Sequence, residues 1–299
     1  MKTAICYFSG TGNTKRTADA WLRALSGEGM SSEAFRIDYG RMPDLRSFDR
    51  IGIFYPIHAF NAPEIVLKFA ENLPVFPQEK VFFVVMVSGE PLRLNHSSDQ
   101  KLRRILRKKN ARVESAWHYV MPYNMIFRHT EEQAFRMDQT MQALVPLHVR
   151  AYFTEGRCHE LPRLWGMGWI IAVLRIEQWF SHKNGKHYRV TEECVQCGKC
   201  VENCPAGNIR LADGKIHFGE ECLLCTRCSF SCPKDAIRIG LLDGWRVNGP
   251  YRFRKPEQEE PDRHARFLRR AYTRYFREAQ ERLDERGGEE HEALRDTED

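Results

Sequence analysis

The sequence predicts an α/β fold, a doubly wound parallel sheet, followed by a small α+β domain that depends on its cysteines. Three observations support this prediction. Short apolar runs alternate with helical segments from Lys2 to Val120, a polar glycine-containing loop follows the first run, and eight of the ten cysteines fall into two runs of one spacing. Alternating strands and helices are typical of a parallel sheet with helices on both faces. A chain of 299 residues has room for two domains.

The first strand, loop and helix together predict a phosphate site. Lys2–Phe8 is a short apolar run of the kind found in buried parallel strands. Helical spacing begins after the loop, with Ala18, Trp21 and Leu25. Hydroxyls, an amide and backbone N–H groups converge in the loop, and the helix N-terminus favours an anion. The loop residues are Ser9, Gly10, Thr11, Gly12, Asn13 and Thr14.

Two common nucleotide sites do not fit this loop. It contains no lysine, which argues against the P-loop pattern, and it lacks the G-x-G-x-x-G spacing of dinucleotide sites. A monophosphate that needs no lysine as countercharge fits better. The simpler alternative is a Ser/Thr/Gly turn that only caps a helix.

The remaining elements of the first half follow the same alternation. Helix interruptions are predicted at Pro146 and Pro162, because proline removes a backbone donor. Strands are predicted at Glu33–Ile37, Ile51–Tyr55, Val81–Val87 and Arg112–Val120, and helices at Glu64–Glu71, Ser98–Lys108 and Glu131–Leu144.

The first loop resembles that of flavodoxins, which reads [ST]-x-T-G-x-T. The resemblance implies a flavodoxin-like sheet of strand order 2-1-3-4-5, with FMN at the carboxyl ends of strands one and three. It implies an aromatic residue against the flavin from the loop after strand three, where Tyr55, His58 and Phe60 are candidates beside Asn61. Which one stacks is left open, and ordinary loop packing is the alternative. Further flavin contacts are expected at Ser88, Gly89 and Glu90, after strand four.

The cysteine runs share the spacing C-x2-C-x2-C-x3-C-P, and the second begins 28 residues after the first, at Cys222 against Cys194. Soft thiolates select iron–sulfur clusters, zinc or Cu(I). Zinc ribbons supply two C-x2-C pairs rather than two quartets with a proline, and disulfides are rare in the cytosol. The quartets are Cys194, Cys197, Cys200 and Cys204, then Cys222, Cys225, Cys228 and Cys232.

Residues 187–242 resemble clostridial-type ferredoxins with two [4Fe–4S] clusters. In such ferredoxins the fourth cysteine of each run reaches the other cluster. The resemblance therefore implies that Cys232 completes cluster one, with Cys194, Cys197 and Cys200, and that Cys204 completes cluster two. The whole chain resembles bacterial flavodoxin–ferredoxin fusion proteins. We expect a flavodoxin-like domain at 1–150, a helical connector at 151–186, a two-cluster ferredoxin domain at 187–245 and a charged, partly helical tail at 246–299.

Two features bear on the location of the protein. Leu164–Leu174 is the most apolar stretch, but it is too short to span a bilayer; peripheral membrane contact through Trp165 and Trp169 is a lesser alternative. No signal peptide is recognisable, so a cytoplasmic location is expected.

The tail is predicted to be partly helical. A helix is predicted over Arg266–Leu283, with an end at Gly287-Gly288 and disorder over Glu289–Asp299.

The net charge of +6 and the pI of about 8.8 differ from acidic flavodoxins. A basic helical segment around Lys101 makes an acidic redox partner plausible, although a solvated helix face is the simpler reading. Nucleic acid is not expected as a partner, because no nucleic-acid module accompanies this segment. The oligomeric state is left open.

The expected function is the transfer of single electrons between two [4Fe–4S] clusters and a bound FMN. The external partner is a redox protein or a small-molecule donor or acceptor. One alternative is an FMN-dependent reductase of a small molecule that the clusters supply with electrons. Another is a non-enzymatic docking module with an empty first domain. No residue is assigned a catalytic role, since no nucleophile triad, carboxylate pair or nicotinamide fingerprint is found.

Overall fold

Five parallel strands form the central sheet of the computed structural model. The strands are β1 (Lys2–Tyr7), β2 (Ser31–Arg36), β3 (Arg50–Pro56), β4 (Lys80–Ser88) and β5 (Ala111–Val120). Their order in the sheet is β2-β1-β3-β4-β5, and every neighbouring pair is parallel. The predicted order 2-1-3-4-5 is confirmed.

The structure describes residues 1–40, 42–163, 173, 176–257 and 268–295. The predicted apolar stretch Leu164–Leu174 lies outside the described residues, apart from Val173. The predicted start of the tail helix at Arg266 lies outside them as well.

Helices cover both faces of the sheet, so it has two cores. Helices α1 (Asn13–Gly27) and α4 (Glu131–Val149) pack on one face, and α2 (Glu64–Asn72) and α3 (Gln100–Arg107) pack on the other. A 3-10 turn at Arg93–Ser97 precedes α3. Side chains of β3 alternate between the cores, because successive strand residues point to opposite faces.

The predicted interruption at Pro146 is wrong. Helix α4 continues through Pro146 to Val149, and a π-helical turn follows at Arg150–Thr154. Proline removes one helical hydrogen bond. Burial of Val145, Val149 and Tyr152 in the core holds the helix together across this point.

The cysteine-rich domain is built from two short antiparallel pairs, preceded by helix α5 (Ile176–Gly185). Strand β6 (Arg189–Val190) pairs with β9 (Ile237–Arg238), and β7 (Ile209–Ala212) pairs with β8 (Lys215–Phe218). Each cysteine run contains a short helix, α6 (Lys199–Asn203) in the first and α7 (Arg227–Phe230) in the second. The sequence repeat is therefore also a structural repeat.

The C-terminal helix α8 (Arg269–Arg295) packs on the first domain beside β5 and α4. Tyr272 donates a hydrogen bond to the carbonyl of Gly89 (2.5 Å), and Tyr275 accepts one from the backbone of Val120 (3.3 Å).

Two predictions for the tail are wrong. Helix α8 does not end at Gly287-Gly288, and the disorder predicted from Glu289 is contradicted as far as Arg295. Two glycines cost a helix roughly 2 kcal/mol, and the Glu, Ala, Leu and Arg residues beyond them are good helix formers. Residues 296–299 lie outside the described part. None of the described helices is both long enough and apolar enough to cross a membrane.

Trp21 is one of two buried tryptophans in the core between the sheet, α1 and α4. Its ring stacks on Phe83 (5.3 Å between centroids) and meets the edges of Phe54 and Trp117. Trp21→Ala should lower the free energy of unfolding by about 3–5 kcal/mol, because it opens a large cavity. The control Trp179→Ala removes a side chain that is 60% exposed and should change it by about 0.5 kcal/mol or less. Denaturant midpoints measured by circular dichroism check both, and equal effects would contradict the packing described.

Candidate functional site

A cavity of about 360 Å³ lies at the carboxyl edge of the sheet, where the loops after β1, β3, β4 and β5 converge. We call it the sheet-end cavity. Predicted site residues that line it come from three loops. They are Ser9, Gly10, Thr11, Asn13, Thr14, Phe60, Ser88, Gly89 and Glu90.

The first loop is closed by its own hydrogen bonds. The N–H of Gly12 donates to Ser9 Oγ (3.1 Å), and the Asn13 amide donates to the carbonyl of Pro122 in the loop after β5 (2.6 Å). Gly12 precedes α1 with φ of 109°, a conformation that favours glycine. The first turn of α1 thus begins at the cavity, where unpaired N–H groups of a helix favour an anion.

The loop after β3 brings only one of its candidate aromatics to the cavity. His58 and Asn61 exchange two backbone hydrogen bonds around a tight turn (2.9 and 2.8 Å). Ala59 and Phe60 between them have positive φ, of 41° and 62°. Such a conformation is strained for residues other than glycine. It directs Phe60 to the cavity, and neither His58 nor Asn61 lines it.

Tyr55 lies away from the cavity. Its side chain is fully buried in the core on the α2 and α3 face, and its hydroxyl is 3.2 Å from Ser98 Oγ. The alternation of β3 explains this, since the neighbouring Phe54 points to the opposite face. Tyr55 therefore has no exposed surface to offer a ligand.

The loop after β4 forms a small polar network at the cavity wall. Ser88 donates to the carbonyl of Glu90 (2.6 Å), and the buried Asn95 donates to Ser88 Oγ and to the Glu90 carboxylate (3.0 and 3.2 Å). Burial raises the pKa of Glu90, against hydrogen bonds from Tyr123 and Asn95 that lower it. The network thus places a carboxyl group with a raised pKa at the cavity.

Sequence reasoning missed the loop after β5 and one residue of the tail. Tyr123 lines the cavity, stacks on His129 with rings 2° from parallel, and lies against Gly89, where any Cβ would overlap its ring. The rule that all strands of a parallel sheet end at one edge could have identified this loop. Leu268 also lines the cavity, but no local pattern could have identified a residue so distant in sequence.

Two small cavities in the second domain each bring cysteines of both runs together. One is lined by Cys194, Cys197, Cys200 and Cys232, and the other by Cys204, Cys222, Cys225 and Cys228. Cys228 also borders the first cavity. Each group contains three cysteines of one run and the last cysteine of the other, as in the crossed arrangement that the resemblance implies.

The surroundings of these thiols suit an iron–sulfur cluster. Backbone N–H groups of Asn208, Leu224 and Ala236 donate to the sulfurs of Cys204, Cys222 and Cys232 (3.3–3.4 Å). Hydrogen bonds to sulfur are one way in which proteins set cluster potentials.

Burial, and then the charge of Cys225, raises the pKa of the Cys222 thiol to about 12. Buried thiols of this kind ionise only when metal replaces the proton. Among the described residues, no three His, Cys, Asp or Glu side chains are arranged to hold a single metal ion. A four-iron cluster does not need several ligands around one ion, because each of its four irons binds one thiolate.

The two cysteine loops share an unusual backbone at equivalent positions. Left-handed φ occurs at Gln196 and Leu224, and again at Gly198 and Thr226 (51° to 75°). Alternating right- and left-handed residues direct successive N–H groups into one concavity, a geometry found at iron–sulfur sites. A left-handed β-branched residue such as Thr226 costs on the order of 1 kcal/mol or more.

The second cysteine loop touches the first loop of the α/β domain directly. Gly10 lies against the carbonyl oxygen of Cys225, where any Cβ would overlap it. Arg227, 9% exposed, donates to the carbonyls of Ser9 (2.7 Å) and Asn203 (2.9 Å), and lies 3.5 Å from Asp38. This arginine therefore joins both cysteine runs to the sheet-end cavity.

Comparison with known proteins gives a family match within the cysteine-rich half. A family model described as a 4Fe-4S binding domain matches residues 187–210. No curated protein matches the chain.

Among solved structures, the chain is similar to a flavodoxin of Streptococcus pneumoniae TIGR4 (18% identity, 50% of this chain and 100% of that chain, TM-score 0.35). It is also similar to a two-electron reduced flavodoxin of Megasphaera elsdenii (20%, 39% and 84%, TM-score 0.32) and to a flavodoxin, WrbA-like protein of Agrobacterium tumefaciens (20%, 50% and 97%, TM-score 0.35).

The flavodoxin-like assignment of the first domain rests on its strand order. The chain joins a flavodoxin-like α/β domain to a 4Fe-4S binding domain. This combination supports an electron-transfer iron–sulfur protein.

Glu90 makes a pH-dependent contribution to stability that Glu90→Gln removes. A carboxyl whose folded pKa is raised above its ordinary value of 4.5 stabilises the protein below that value and loses this contribution as pH rises through the folded pKa. Glu90→Gln should therefore melt higher than the parent at pH 7. Its advantage should grow from about pH 4.5 and level off above the folded pKa. Thermal melts across this range check the sign, and an advantage that shrinks as pH rises would contradict it.

Proposed function

We propose that the chain passes single electrons between two [4Fe–4S] clusters and an FMN in the sheet-end cavity. Each cluster supplies one-electron transfer when bound, and FMN can take up two electrons. Cys194, Cys197, Cys200 and Cys232 would hold cluster one. Cys204, Cys222, Cys225 and Cys228 would hold cluster two.

The residues of the sheet-end cavity support FMN as its ligand. The hydroxyls of Ser9, Thr11 and Thr14, with the amide of Asn13, surround the N-terminus of α1 and would hold the phosphate. Phe60 and Tyr123 are the aromatics at the cavity, and they replace Tyr55 and His58 as candidates to contact a flat ring. The apolar Ile57, Val87 and Met121 also line the cavity and would exclude water from the ring.

The contact between Cys225 and Gly10 is the observation that carries this proposal. It joins a ligand of the proposed cluster two to the proposed phosphate loop without an intervening residue. A tether of this kind holds two redox centres at high effective concentration. An order follows for the electron path, in which cluster two lies between FMN and cluster one.

The surface around the first cysteine run supports cluster one as the external contact. Cys197 and Lys199 are exposed, and Val195 is 58% exposed. In the second run, the equivalent residues Cys225, Arg227 and Leu223 are all buried, at 7–9% exposure. The redox partner, a protein or a small molecule, would therefore exchange electrons at cluster one.

Composition of the purified protein tests the cofactors. Anaerobic purification followed by iron, sulfide and flavin quantitation should give about eight irons and one FMN per chain, because each cluster contains four irons. Four irons, or zinc in their place, would contradict the two-cluster assignment. If the purified protein contains no flavin and does not bind added FMN, the first domain has no redox role.

The path through Arg227 can be tested with a matched control from the internal repeat. Arg227→Gln removes the charged group that seats the second cysteine loop on Ser9. We expect flavin reduction after flash reduction of the clusters to slow measurably, because electron transfer slows as the distance between the two centres grows and this contact holds the second cysteine loop against the phosphate loop. Iron and FMN content should stay unchanged.

Lys199→Gln is the control, because Lys199 occupies the equivalent position in the first run and is exposed. It should leave the intramolecular rate unchanged. Equal rates in both variants and the parent would show that the Arg227 contact does not set the electron path.

A further inference from the structure

A second polar cavity, of about 130 Å³, lies at the β5 edge of the sheet, and its lining contains no cysteine and no residue that lines the sheet-end cavity. It is bounded by β5, by the C-terminal half of α4 and by α8. We call it the histidine cavity, because four histidines from four different segments line it: His96, His118, His148 and His159. Its volume is well above the roughly 10–15 Å³ that one water needs.

Each of the four imidazoles is held by a hydrogen bond at one ring nitrogen. His96 Nδ1 donates to the carbonyl of Pro162 (3.0 Å), and His159 Nδ1 donates to the carbonyl of Ala116 (2.7 Å). His118 Nε2 lies 2.7 Å from Ser88 Oγ, and His148 Nδ1 lies 2.7 Å from the Tyr119 hydroxyl.

The second nitrogen of each ring receives no hydrogen bond from the described residues. For His96 and His159 this nitrogen is Nε2, and it is a proton acceptor while the ring is neutral, because the carbonyl partner fixes the hydrogen on Nδ1. Burial lowers the pKa of all four rings, to about 3 for His118 and His148. The cavity therefore holds neutral imidazoles that can each accept a proton.

Arginines surround the cavity and make it electropositive. Arg93 comes from the 3-10 turn, and Arg274 and Arg282 come from α8. Glu278 is the one carboxylate among the described lining residues, and it lies 3.9 Å from Arg274. A metal cation would be repelled by this rim, whereas an anion would be attracted.

We propose that the histidine cavity binds a small oxyanion, a dicarboxylate or a phosphate, and takes up a proton from solvent onto a histidine as the anion binds. The anion supplies a negative partner to Arg93 and Arg282, for which the described residues provide no ion pair, and a negative charge beside a ring favours its protonated form. The proton adds to a free ring nitrogen, which then donates a hydrogen bond to the anion. No other bond forms or breaks.

Affinity should rise as pH falls, because binding and protonation are linked. The groups that face the histidines come from each surrounding segment. They are Arg93 and His96 from the turn before α3, His118 from β5, His148 from α4, His159, Glu160 and Arg163 from the connector, and Arg274, Tyr275, Glu278 and Arg282 from α8.

Calorimetric titration of the full chain, purified anaerobically and saturated with FMN, tests the site. Malonate and inorganic phosphate are the two probes, and uncharged malonamide is the control ligand. Titration in buffers of different ionisation enthalpy measures the protons taken up. We expect at least one anion to bind with proton uptake at pH 7, and more tightly at pH 6 than at pH 8. The better of the two probes identifies the class of anion.

Arg282→Gln and Arg93→Gln should weaken binding at least about tenfold each, the effect of losing one charged hydrogen bond. Arg277→Gln is the matched control, because Arg277 is exposed on the same helix, is paired with Glu281 (3.5 Å) and does not line the cavity. His96→Asn should reduce the proton uptake.

Three outcomes would overturn the proposal: malonamide binding as tightly as the anions, binding without proton uptake, or equal losses in Arg277→Gln and Arg282→Gln. Binding of zinc ions that depends on His96, with neither anion bound, would identify a cation site instead. The site shares no lining residue with the cysteine loops or the sheet-end cavity. His118 contacts Ser88 of the sheet-end cavity, but Arg93, His96 and Arg282 line only the histidine cavity, so the results for their variants are distinguishable from a failure of the proposed electron path.

Discussion

The buried guanidinium of Arg227 is the interaction on which the arrangement of the two domains depends. It lies inside a cysteine run, yet it hydrogen-bonds to the other run at Asn203 and to the α/β domain at Ser9. A charge that is nine-tenths buried is costly unless it is paired, and these carbonyls with Asp38 provide the pairing. In the α/β domain this arginine contacts Ser9, in the loop after β1 that lines the sheet-end cavity. The cysteine-rich domain is therefore fixed at the functional edge of the sheet rather than elsewhere on its surface.

The internal repeat has two copies of similar sequence in different environments. Left-handed φ recurs at equivalent positions of both cysteine loops, so the backbone is set by local sequence and by the thiol geometry. Burial is not repeated, because Arg227 packs against the first domain and Lys199 is exposed. The second run is buried and the first is exposed because only the second packs against the α/β domain. No pattern within either run predicts this difference in burial.

The sequence predicted those parts of the site that depend on local spacing. The five strands and the first loop follow from short-range patterns, and the cysteine quartets follow from their spacing. The strand order came from the resemblance to flavodoxins, and the structure confirms it. The failures concern orientation and distant contacts. Tyr55 is a candidate flavin contact from sequence, but it belongs to β3 and points into the core on the α2 and α3 face, which the alternation of β3 could have shown. Tyr123 and Leu268 reach the cavity only through tertiary packing, and Pro146 stays helical because buried neighbours outweigh one lost hydrogen bond.

The connector and the tail both pack against β5, which lies at an edge of the sheet. An unpaired strand edge exposes backbone donors that can pair with other chains, and proteins commonly cover such edges. Here the connector covers one end, where the N–H of Ala116 donates to the carbonyl of His159 (2.8 Å), and α8 covers the other end at Val120. Neither covering segment fills the space above His118, and the gap between them is the histidine cavity. The covering of an exposed edge has thus left four imidazoles facing a common space, and the arginines of the covering helix have set the sign of its charge.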